Sequence, residues 1–264
     1  MSAAALSALV LAGSRPGGDA LAQHAGVSHK ALIEVGGRTM IERVVGALAS
    51  LPQVQRIVIA IDRPEVLTAL PGLSAPGCPK PVATMPAAST PSASVAAAIA
   101  DMGTPLVVTT ADHALLRPEW LRAFLEDSPA EADVTAALAR KDAVLASAPG
   151  TERTYLRFAD GEFSGCNLFG LQRPAAERVV RLWRELETHR KVPLRMMLKL
   201  GLGTALSYRL GHLRLSEAVA RLESLCDASI RIVELADGRA AIDVDKPADL
   251  ELVRALAIRH EEEA

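Results

Sequence analysis

The chain has 264 residues, of which 50% are hydrophobic and only 3% aromatic, and its formal net charge is −2. This composition is sufficient for one substantial core built from aliphatic side chains. The near-neutral charge argues against a nucleic-acid or membrane-surface partner, because both require a concentrated basic face. No apolar run approaches the roughly 20 residues needed to span a bilayer. The three cysteines, Cys78, Cys166 and Cys226, lack metal-ligand spacing, so we expect free thiols and a cytoplasmic protein.

The first half of the chain alternates apolar strands with helical patterns. Strands are predicted at residues 8–12, 56–62, 81–85, 105–111 and 133–139, and helices at 39–51, 64–70, 92–102 and 119–126. Aliphatic strands separated by helices are typical of a mostly parallel sheet with helices on both faces. Ligands of such α/β sheets bind beyond the carboxyl ends of the strands. Candidate functional residues are therefore those that directly follow a strand.

The second half is less regular. Turn signals at Pro149-Gly150 and Asp160-Gly161 predict a hairpin-like excursion over residues 141–164, around the alternating run 154–158. The predicted elements that follow are a strand at 163–171, a helix at 174–190, helical or mixed segments at 192–200, 202–210 and 215–225, a strand at 229–234 and a helix at 247–258 before a frayed tail at 260–264. No linker separates these elements, so we expect a single domain over residues 1–264. The Met and Leu side chains of 190–225 are expected in the core, and they would serve equally as a homodimer interface.

The most informative motif follows the first predicted strand. Gly13-Ser-Arg-Pro-Gly-Gly18 is a glycine-rich loop with one arginine, and Lys30 lies on its far side. Glycine lets backbone N–H groups approach an anion, while arginine and lysine add positive charge. The loop therefore predicts a polyphosphate site, although it matches neither common phosphate-loop pattern. The alternative is an ordinary turn between a strand and a helix, with Lys30 facing solvent.

Carboxylates occur at two further places where a ligand could bind. Asp112 ends the predicted strand at 105–111, and Asp243 and Asp245 alternate in an extended segment near the C-terminus. Mg²⁺ prefers hard oxygen ligands and usually takes one or two protein carboxylates together with phosphate oxygens. These aspartates therefore predict a magnesium site, with Asp245 preferred over Asp243. The alternative is stabilisation of a helix N-terminus, which is the role expected of Asp249.

Other catalytic patterns are lacking. The six histidines, His24, His29, His113, His189, His212 and His260, have no zinc-ligand spacing, and we expect most of them at the surface or in turns. Ser14 and Ser164 do not fit the G-x-S-x-G pattern of a nucleophile. A reaction driven by positioning and electrostatics is favoured over one with a covalent intermediate.

Five short motifs together resemble the nucleotidyltransferase superfamily that includes the molybdenum-cofactor guanylyltransferases and cytidylyltransferases and the sugar-phosphate pyrophosphorylases. The motifs are Leu11-Ala-Gly-Ser-Arg15, His29-Lys-Ala-Leu-Ile-Glu-Val-Gly-Gly-Arg-Thr-Met-Ile41, Thr110-Ala-Asp-His113, Gly165-Cys-Asn167 and Ile242-Asp-Val-Asp-Lys-Pro-Ala-Asp-Leu250, in family order over most of the chain. The resemblance implies a single Rossmann-like three-layer α/β domain. Its NTP-binding part would be residues 1–140, and its acceptor-binding and C-terminal part residues 141–264.

The resemblance also implies a reaction and a set of site residues. The reaction is the Mg²⁺-dependent transfer of a nucleoside monophosphate from an NTP to a small phosphorylated acceptor, with release of pyrophosphate. Arg15 and Lys30 would hold the triphosphate as catalytic residues. Asp112, Asp245 and Asp243 would hold Mg²⁺. The nucleotide would lie against Leu11, Ala12, Gly13, Ser14, Gly17 and Gly18, its base against the loop from Pro86 to Ser94, and the acceptor against Asn167.

Two other classes of function are compatible with the sequence. One is a non-catalytic protein that binds a nucleotide or a sugar phosphate on the same scaffold. The other is a nucleotide-sugar glycosyltransferase, whose Asp-x-Asp metal motif would be Asp243-Val-Asp245. It ranks last, because that motif normally closes an early strand. The base of the NTP and the identity of the acceptor depend on a few hydrogen bonds whose geometry a sequence does not reveal.

Overall fold

The computed structural model describes residues 5–14, 17–188 and 201–263. In chain order its strands are β1 Leu6–Leu11, β2 Glu34–Val35, β3 Arg38–Thr39, β4 Val54–Ile61, β5 Val82–Pro86, β6 Leu106–Thr110, β7 Val134–Arg140, β8 Leu156–Phe158, β9 Gly161–Leu171 and β10 Ile230–Glu234. The short strands β2 and β3 pair with each other, and the other eight form one sheet in the described part of the chain. Its order is β5-β4-β1-β6-β9-β7-β10, with β8 paired to β9.

The sheet is mostly parallel, as predicted. Strands β5, β4, β1 and β6 run in one direction, and β7 is parallel to β10. Only β9, with the short β8 beside it, introduces antiparallel pairing, because β9 lies between β6 and β7. Leu168 on β9 lies opposite Thr109 near the end of β6. Asn167 therefore reaches the edge of the sheet at which the parallel strands end.

Helices cover both faces of this sheet. They are α1 Ala20–His24, α2 Met40–Ala49, α3 Pro91–Met102, α4 Pro118–Glu126, α5 Lys141–Ser147, α6 Ala176–Thr188, α7 Leu202–Arg209, α8 Leu215–Cys226 and α9 Pro247–Glu263. Successive strand residues point to opposite faces. Ala8 and Val10 of β1 accordingly pack in the core under α2, α4 and α9, whereas Leu9 packs in the core under α3 and α6. The predicted three-layer α/β arrangement is confirmed.

Local sequence signals explain where the helices begin. Helix α2 starts with a capping box, in which the Thr39 hydroxyl accepts from the Glu42 N–H and the Glu42 carboxylate accepts from the Thr39 N–H. Helix α3 begins at Pro91 after the N-cap Thr90, whose hydroxyl accepts from the Ala93 N–H.

The structure corrects several predicted elements. The excursion over 141–164 is not all hairpin: α5 occupies Lys141–Ser147, and only β8 and the start of β9 form the hairpin. Buried Val144 anchors α5, and the Pro149-Gly150 turn comes after this helix. The predicted helix at 64–70 is a short 3₁₀ turn, Pro64–Leu67, and the final helix continues through the predicted frayed tail to Glu263. The predicted segment at 192–200 lies outside the described residues.

All three cysteines are buried free thiols, and burial raises the pKa of Cys166 to about 12, so this thiol is unreactive. Within residues 5–14, 17–188 and 201–263, no helix combines the length and apolar character that a membrane span requires.

Candidate functional site

The centre of the site is one ammonium group held between two carboxylates. Lys30 Nζ donates to Asp112 Oδ2 at 2.7 Å and to Asp245 Oδ1 at 3.0 Å. Lys30 begins a 3₁₀ turn after the glycine-rich loop, Asp112 follows β6, and Asp245 precedes α9. Three predicted site residues that lie as much as 215 positions apart in the chain are therefore in direct contact.

Burial and charge act in opposite directions on Lys30. Its side chain is 19% exposed, compared with 21% for Asp112 and 65% for Asp245. Burial lowers the pKa of an ammonium group, but the charges and hydrogen bonds of the two carboxylates outweigh this effect. The pKa of Lys30 is consequently raised above its ordinary value, and the side chain stays charged at neutral pH.

Asp243 is held by other partners. Its Oδ1 is paired with the guanidinium of Arg153, and its Oδ2 accepts a hydrogen bond of 2.7 Å from Asn167 Nδ2. The side chain is only 15% exposed. Burial raises the pKa of this carboxyl above its ordinary value, and the charges of Asp112 and Asp245 add to the effect, although Arg153 opposes it. Protein donors therefore engage both carboxylate oxygens of Asp243.

Asn167 reaches Asp243 through an irregularity in β9. The pairing between β7 and β9 shifts register between Ala136 and Leu138, and Asn167 has a φ of 47°. Asparagine tolerates this left-handed conformation better than most residues. The resulting bulge turns the Asn167 amide toward the aspartates. Bulges commonly redirect side chains in this way next to active sites.

The segment that carries Asp245 is anchored on both sides. The Val244 N–H donates to the carbonyl of Asp112 at 3.1 Å, which ties the segment to the end of β6. Asp249 Oδ2 accepts from the N–H groups of Asp245 at 3.1 Å and Lys246 at 3.0 Å. Asp249 thus stabilises the beginning of α9, as predicted, and it also fixes the backbone of Asp245.

The start of the glycine-rich loop packs against the end of β4. A Cβ on Gly13 would lie 3.0 Å from the Cβ of Ala87, so this position favours glycine. The Ser14 N–H donates to Asp62 Oδ1 at 2.8 Å, and the Ala12 N–H donates to the carbonyl of Ala60 at 2.8 Å. Ser14 is therefore engaged by the protein, and its N–H does not point to an open anion site.

The last two glycines of the loop border an open cavity. Gly17 and Gly18 have φ values of 97° and 93°, which favour glycine. The cavity has a volume of about 400 Å³ and is lined by Ser14, Gly17, Gly18, Asp19, Ala22, Gln23, Val27, Ser28, His29, Asp62 and Arg63. Arg15 and Pro16 lie outside the described residues, so the role of Arg15 stays a prediction. Leu11 ends β1 directly before Ala12.

Sequence reasoning missed the pair His29 and Asp62. His29 is buried, and its Nδ1 accepts the Ala31 N–H at 3.1 Å, so the proton lies on Nε2. This Nε2 donates to Ser14 Oγ at 2.9 Å and lies 3.3 Å from Asp62 Oδ1. Burial raises the pKa of Asp62, but its hydrogen bonds, with the Ser14 N–H and His29 among the donors, lower it by more. The pKa of Asp62 is therefore below its ordinary value. Asp62 follows β4 as Asp112 follows β6, and this rule could have identified it.

The expectation that most histidines lie at the surface is only partly correct. His24 and His212 are exposed, but His29 and His113 are buried. His113 stacks on Trp120 with ring centroids 6.2 Å apart, and burial lowers its pKa to about 4. It is therefore neutral at physiological pH. His189 and the side chain of His260 lie outside the described part of the chain.

The loop from Pro86 to Ser94 lies beside the glycine-rich loop through the contact between Ala87 and Gly13. Pro86 ends β5 at the same edge of the sheet. Ser94 is buried in the first turn of α3, and its hydroxyl accepts the Ala88 N–H at 2.9 Å. Ser94 therefore stabilises this loop, and its contact with a nucleotide stays a prediction.

The carboxylates fit a magnesium ion, although they do not form a large ligand cluster. No group of three or more His, Cys, Asp or Glu side chains in the described ranges is arranged to hold a metal. Mg²⁺ normally needs only one or two protein carboxylates. Asp112 Oδ1 is buried without a hydrogen-bond partner, and the Asp245 side chain is largely exposed. These two residues can therefore supply oxygen ligands.

The chain is similar to known transferases in sequence and in fold. The family model of the MobA-like NTP transferase domain matches residues 8–224. A hypothetical transferase from Thermus thermophilus is 30% identical, with a TM-score of 0.78, and the alignment covers 93% of this chain and 99% of that one. A search of the curated proteins finds no match.

More distant structures share the fold. A CMP:2-keto-3-deoxy-manno-octonic acid synthetase complexed with CTP is 17% identical, with a TM-score of 0.59 and coverage of 98% of this chain and 100% of that one. A 4-diphosphocytidyl-2C-methyl-D-erythritol synthase from Anaerococcus prevotii is 10% identical, with a TM-score of 0.58 and coverage of 96% and 97%. The motifs, the parallel sheet and the extent of the family match lead to one conclusion: the chain belongs to the family of MobA-like NTP transferase domains.

Proposed function

We propose that this protein is an Mg²⁺-dependent nucleotidyltransferase that transfers a nucleoside monophosphate from an NTP to a small phosphorylated acceptor and releases pyrophosphate. The observation that carries the proposal is the contact of Lys30 with both Asp112 and Asp245. This contact lies at the carboxyl edge of a parallel sheet, and Lys30 is on the 3₁₀ turn that follows the glycine-rich loop. A cation and two carboxylates, the proposed metal ligands, are thus adjacent where such folds bind ligands.

The charge of the site supports binding of a nucleotide together with a metal. Four carboxylates, Asp112, Asp243, Asp245 and Asp249, lie against two cations, Lys30 and Arg153. This local excess of negative charge would repel a triphosphate. Asp112 and Asp245 would hold Mg²⁺, which when bound neutralises phosphate charge and polarises the transferred phosphoryl group. Lys30 would then exchange its carboxylate partners for phosphate oxygens.

The proposed reaction requires no protein nucleophile. A phosphate oxygen of the acceptor forms a bond to the α-phosphorus, and the bond between this phosphorus and the α,β-bridging oxygen breaks as pyrophosphate leaves. Lys30, with Arg15 as a second proposed cation, stabilises the negative charge that develops on the leaving group. Ser14, His29 and Asp62 do not form a relay, because Ser14 and Asp62 share the same nitrogen of His29.

We assign the two substrates to different sides of the site. The NTP would occupy the cavity beside the glycine-rich loop, with its base near the loop from Pro86 to Ser94. The acceptor would lie toward Asn167, at the edge contributed by β9. The near-neutral charge of the chain supports a small phosphorylated acceptor over a nucleic acid.

The test is acceptor-dependent release of pyrophosphate. ATP, GTP, CTP and UTP are incubated with Mg²⁺ and a panel of sugar phosphates, alcohol phosphates and pterin phosphates. Asp112→Asn and Lys30→Met should each reduce the rate about 100-fold or more. Asp101→Asn is the matched control, because Asp101 is exposed near the end of α3. Release that survives both site substitutions would refute the assignment.

The competing class, a non-catalytic nucleotide-binding protein, gives a different result. It predicts that an NTP raises the melting temperature with or without EDTA, while no acceptor supports turnover. A rise that needs Mg²⁺ and accompanies turnover supports the transferase.

A further inference from the structure

Arg153 is a mostly buried arginine beside the proposed metal site. Its side chain is 11% exposed, and it occurs in the extended segment between α5 and β8. Its Nη2 is paired with Asp243 Oδ1, and its Nη1 donates to the backbone carbonyl of Asp243 at 3.2 Å. The same Nη1 lies 4.0 Å from Asp249 Oδ1. The guanidinium therefore holds both the side chain and the backbone of Asp243.

This contact makes the environment of Asp243 different from that of Asp245. Asp243 and Asp245 alternate around the fully buried Val244, so both point toward the same side. Asp243 is 15% exposed and is covered by Arg153 and Asn167, whereas Asp245 is 65% exposed and reaches Lys30. The metal-binding capacity of the pair is consequently concentrated in Asp245.

The contacts of Arg153 extend to the backbone of Asp245. Asp249, which lies against Arg153, accepts the Asp245 N–H, and the Val244 N–H is bonded to the carbonyl of Asp112. Without the guanidinium, Asp243 would be a buried carboxylate with Asn167 as its remaining donor among the contacts described. Such a charge is costly to bury, so the segment would move to expose it. A movement there would separate Asp245 from Asp112.

Arg153 contacts Asp243 through both of its Nη atoms. Its Nε is buried without a hydrogen-bond partner, so the guanidinium does not satisfy all of its own donors. On the same segment, Glu152 pairs with Lys246 at 2.7 Å, but this pair is at the surface and touches neither Asp112 nor Asp243. Surface pairs of this kind contribute little. Glu152 therefore offers a matched control.

We propose that Arg153 is a positioning residue for nucleotidyl transfer: it fixes Asp243 and the segment after it, and thereby holds the Asp245 carboxylate opposite Asp112 for the metal. The proposal rests on the proposed function. It assigns a structural role to Asp243 and a metal-binding role to Asp245. Arg153 itself touches neither substrate nor metal.

The test measures Mn²⁺ affinity by electron paramagnetic resonance, without nucleotide, beside the melting temperature. Arg153→Met should weaken Mn²⁺ binding at least tenfold and lower the melting temperature, whereas Glu152→Gln should change neither. Asp243→Asn should keep Mn²⁺ affinity within about threefold of wild type. Combining Arg153→Met with Asp243→Asn removes the buried unpaired charge, so the melting temperature should recover. The Mn²⁺ affinity of this double variant should stay at least fivefold below that of wild type, because the Arg153 guanidinium that orients the segment is missing.

Three results would overturn the inference. A tenfold loss of Mn²⁺ affinity in Asp243→Asn would make Asp243 a ligand. Full recovery of Mn²⁺ affinity in the double variant would show that Arg153 only neutralises a charge. A folded Arg153→Met protein that binds Mn²⁺ with wild-type affinity would show that Arg153 has no positioning role. The proposed function fails separately, if wild-type protein neither binds Mn²⁺ nor releases pyrophosphate with any NTP and acceptor.

Discussion

Replacing Lys30 by methionine should increase the affinity of the ligand-free protein for Mn²⁺ while decreasing its affinity for an NTP. The reason is that the Lys30 ammonium already lies 2.7 Å from Asp112 Oδ2 and 3.0 Å from Asp245 Oδ1. A divalent ion arriving alone must displace this group from the two carboxylates. An ion arriving with a triphosphate meets less resistance, because the phosphates give Lys30 new partners. Methionine preserves most of the apolar length of the side chain without its charge.

The magnitude follows from the two contacts. A charge-assisted hydrogen bond such as that to the mostly buried Asp112 contributes about 1.5–3 kcal/mol. The contact with Asp245, which is 65% exposed, contributes about 0.2–1 kcal/mol because solvent screens it. Relief of about 2 kcal/mol corresponds to an increase of about 30-fold in Mn²⁺ affinity. The loss of one contact between the ammonium and a phosphate should weaken NTP binding about 10- to 100-fold.

Electron paramagnetic resonance of free Mn²⁺ gives the first affinity, and isothermal titration with Mg²⁺ and each NTP gives the second. Lys141→Met is the matched control, because Lys141 Nζ lies 2.6 Å from Glu162 Oε2 and its removal breaks an ion pair that does not involve Asp112 or Asp245. It should leave Mn²⁺ affinity unchanged. The reasoning is refuted if folded Lys30→Met protein binds Mn²⁺ no more tightly than wild type.

Three further predictions concern the surroundings of the site. His113 has a pKa of about 4 in the folded protein and about 6.5 when unfolded, so the unfolded chain binds the extra proton and stability falls as pH drops from 6.5 toward 4. Urea denaturation should show that this drop in pH destabilises His113→Asn by about 3 kcal/mol less than the wild type. An equal loss of stability in both proteins would contradict this. Gly13→Ala should destabilise the protein by about 1–3 kcal/mol and weaken NTP binding, because the added Cβ would lie 3.0 Å from the Cβ of Ala87. In contrast, Gly46→Ala should be neutral or stabilising, because a Cβ at this position of α2 meets open space. His29→Phe should cost about 1–3 kcal/mol of unfolding free energy by breaking the contacts with Ser14 and Asp62; an unchanged urea midpoint would show that these contacts do not hold the loop.

Most of the regular fold is predictable from local patterns. Strands β1, β4 and β6 are each built around an aliphatic run, and their predicted bounds differ from the observed ones by only a few residues. Helix α5 was missed because it is short, carries one buried residue, Val144, and lies directly before strong turn signals. A single buried position shows no helical period.

Part of the site is predictable for a related reason. Asp112 is predictable because a carboxylate directly after a buried strand must lie at the carboxyl edge of a parallel sheet. Lys30 is predictable because it lies between the glycine-rich loop and a buried segment. Asp62 satisfies the same rule as Asp112 and could have been found with it. Nothing in the local sequence marks Arg153, because its partner Asp243 is 90 residues away.

The sequence by itself determined which residues are buried in strands and helices, and it limited the candidate site to residues at the ends of those strands. These properties depend on the period of apolar side chains, which is local. Only the tertiary structure decided that Lys30 lies between Asp112 and Asp245, and that Arg153 and Asn167 cover Asp243 but leave Asp245 exposed. Those contacts require β9 to enter the sheet between β6 and β7 and the segment before α9 to return to the end of β6. Such pairings join distant parts of the chain, so their physical origin is the packing of the whole sheet.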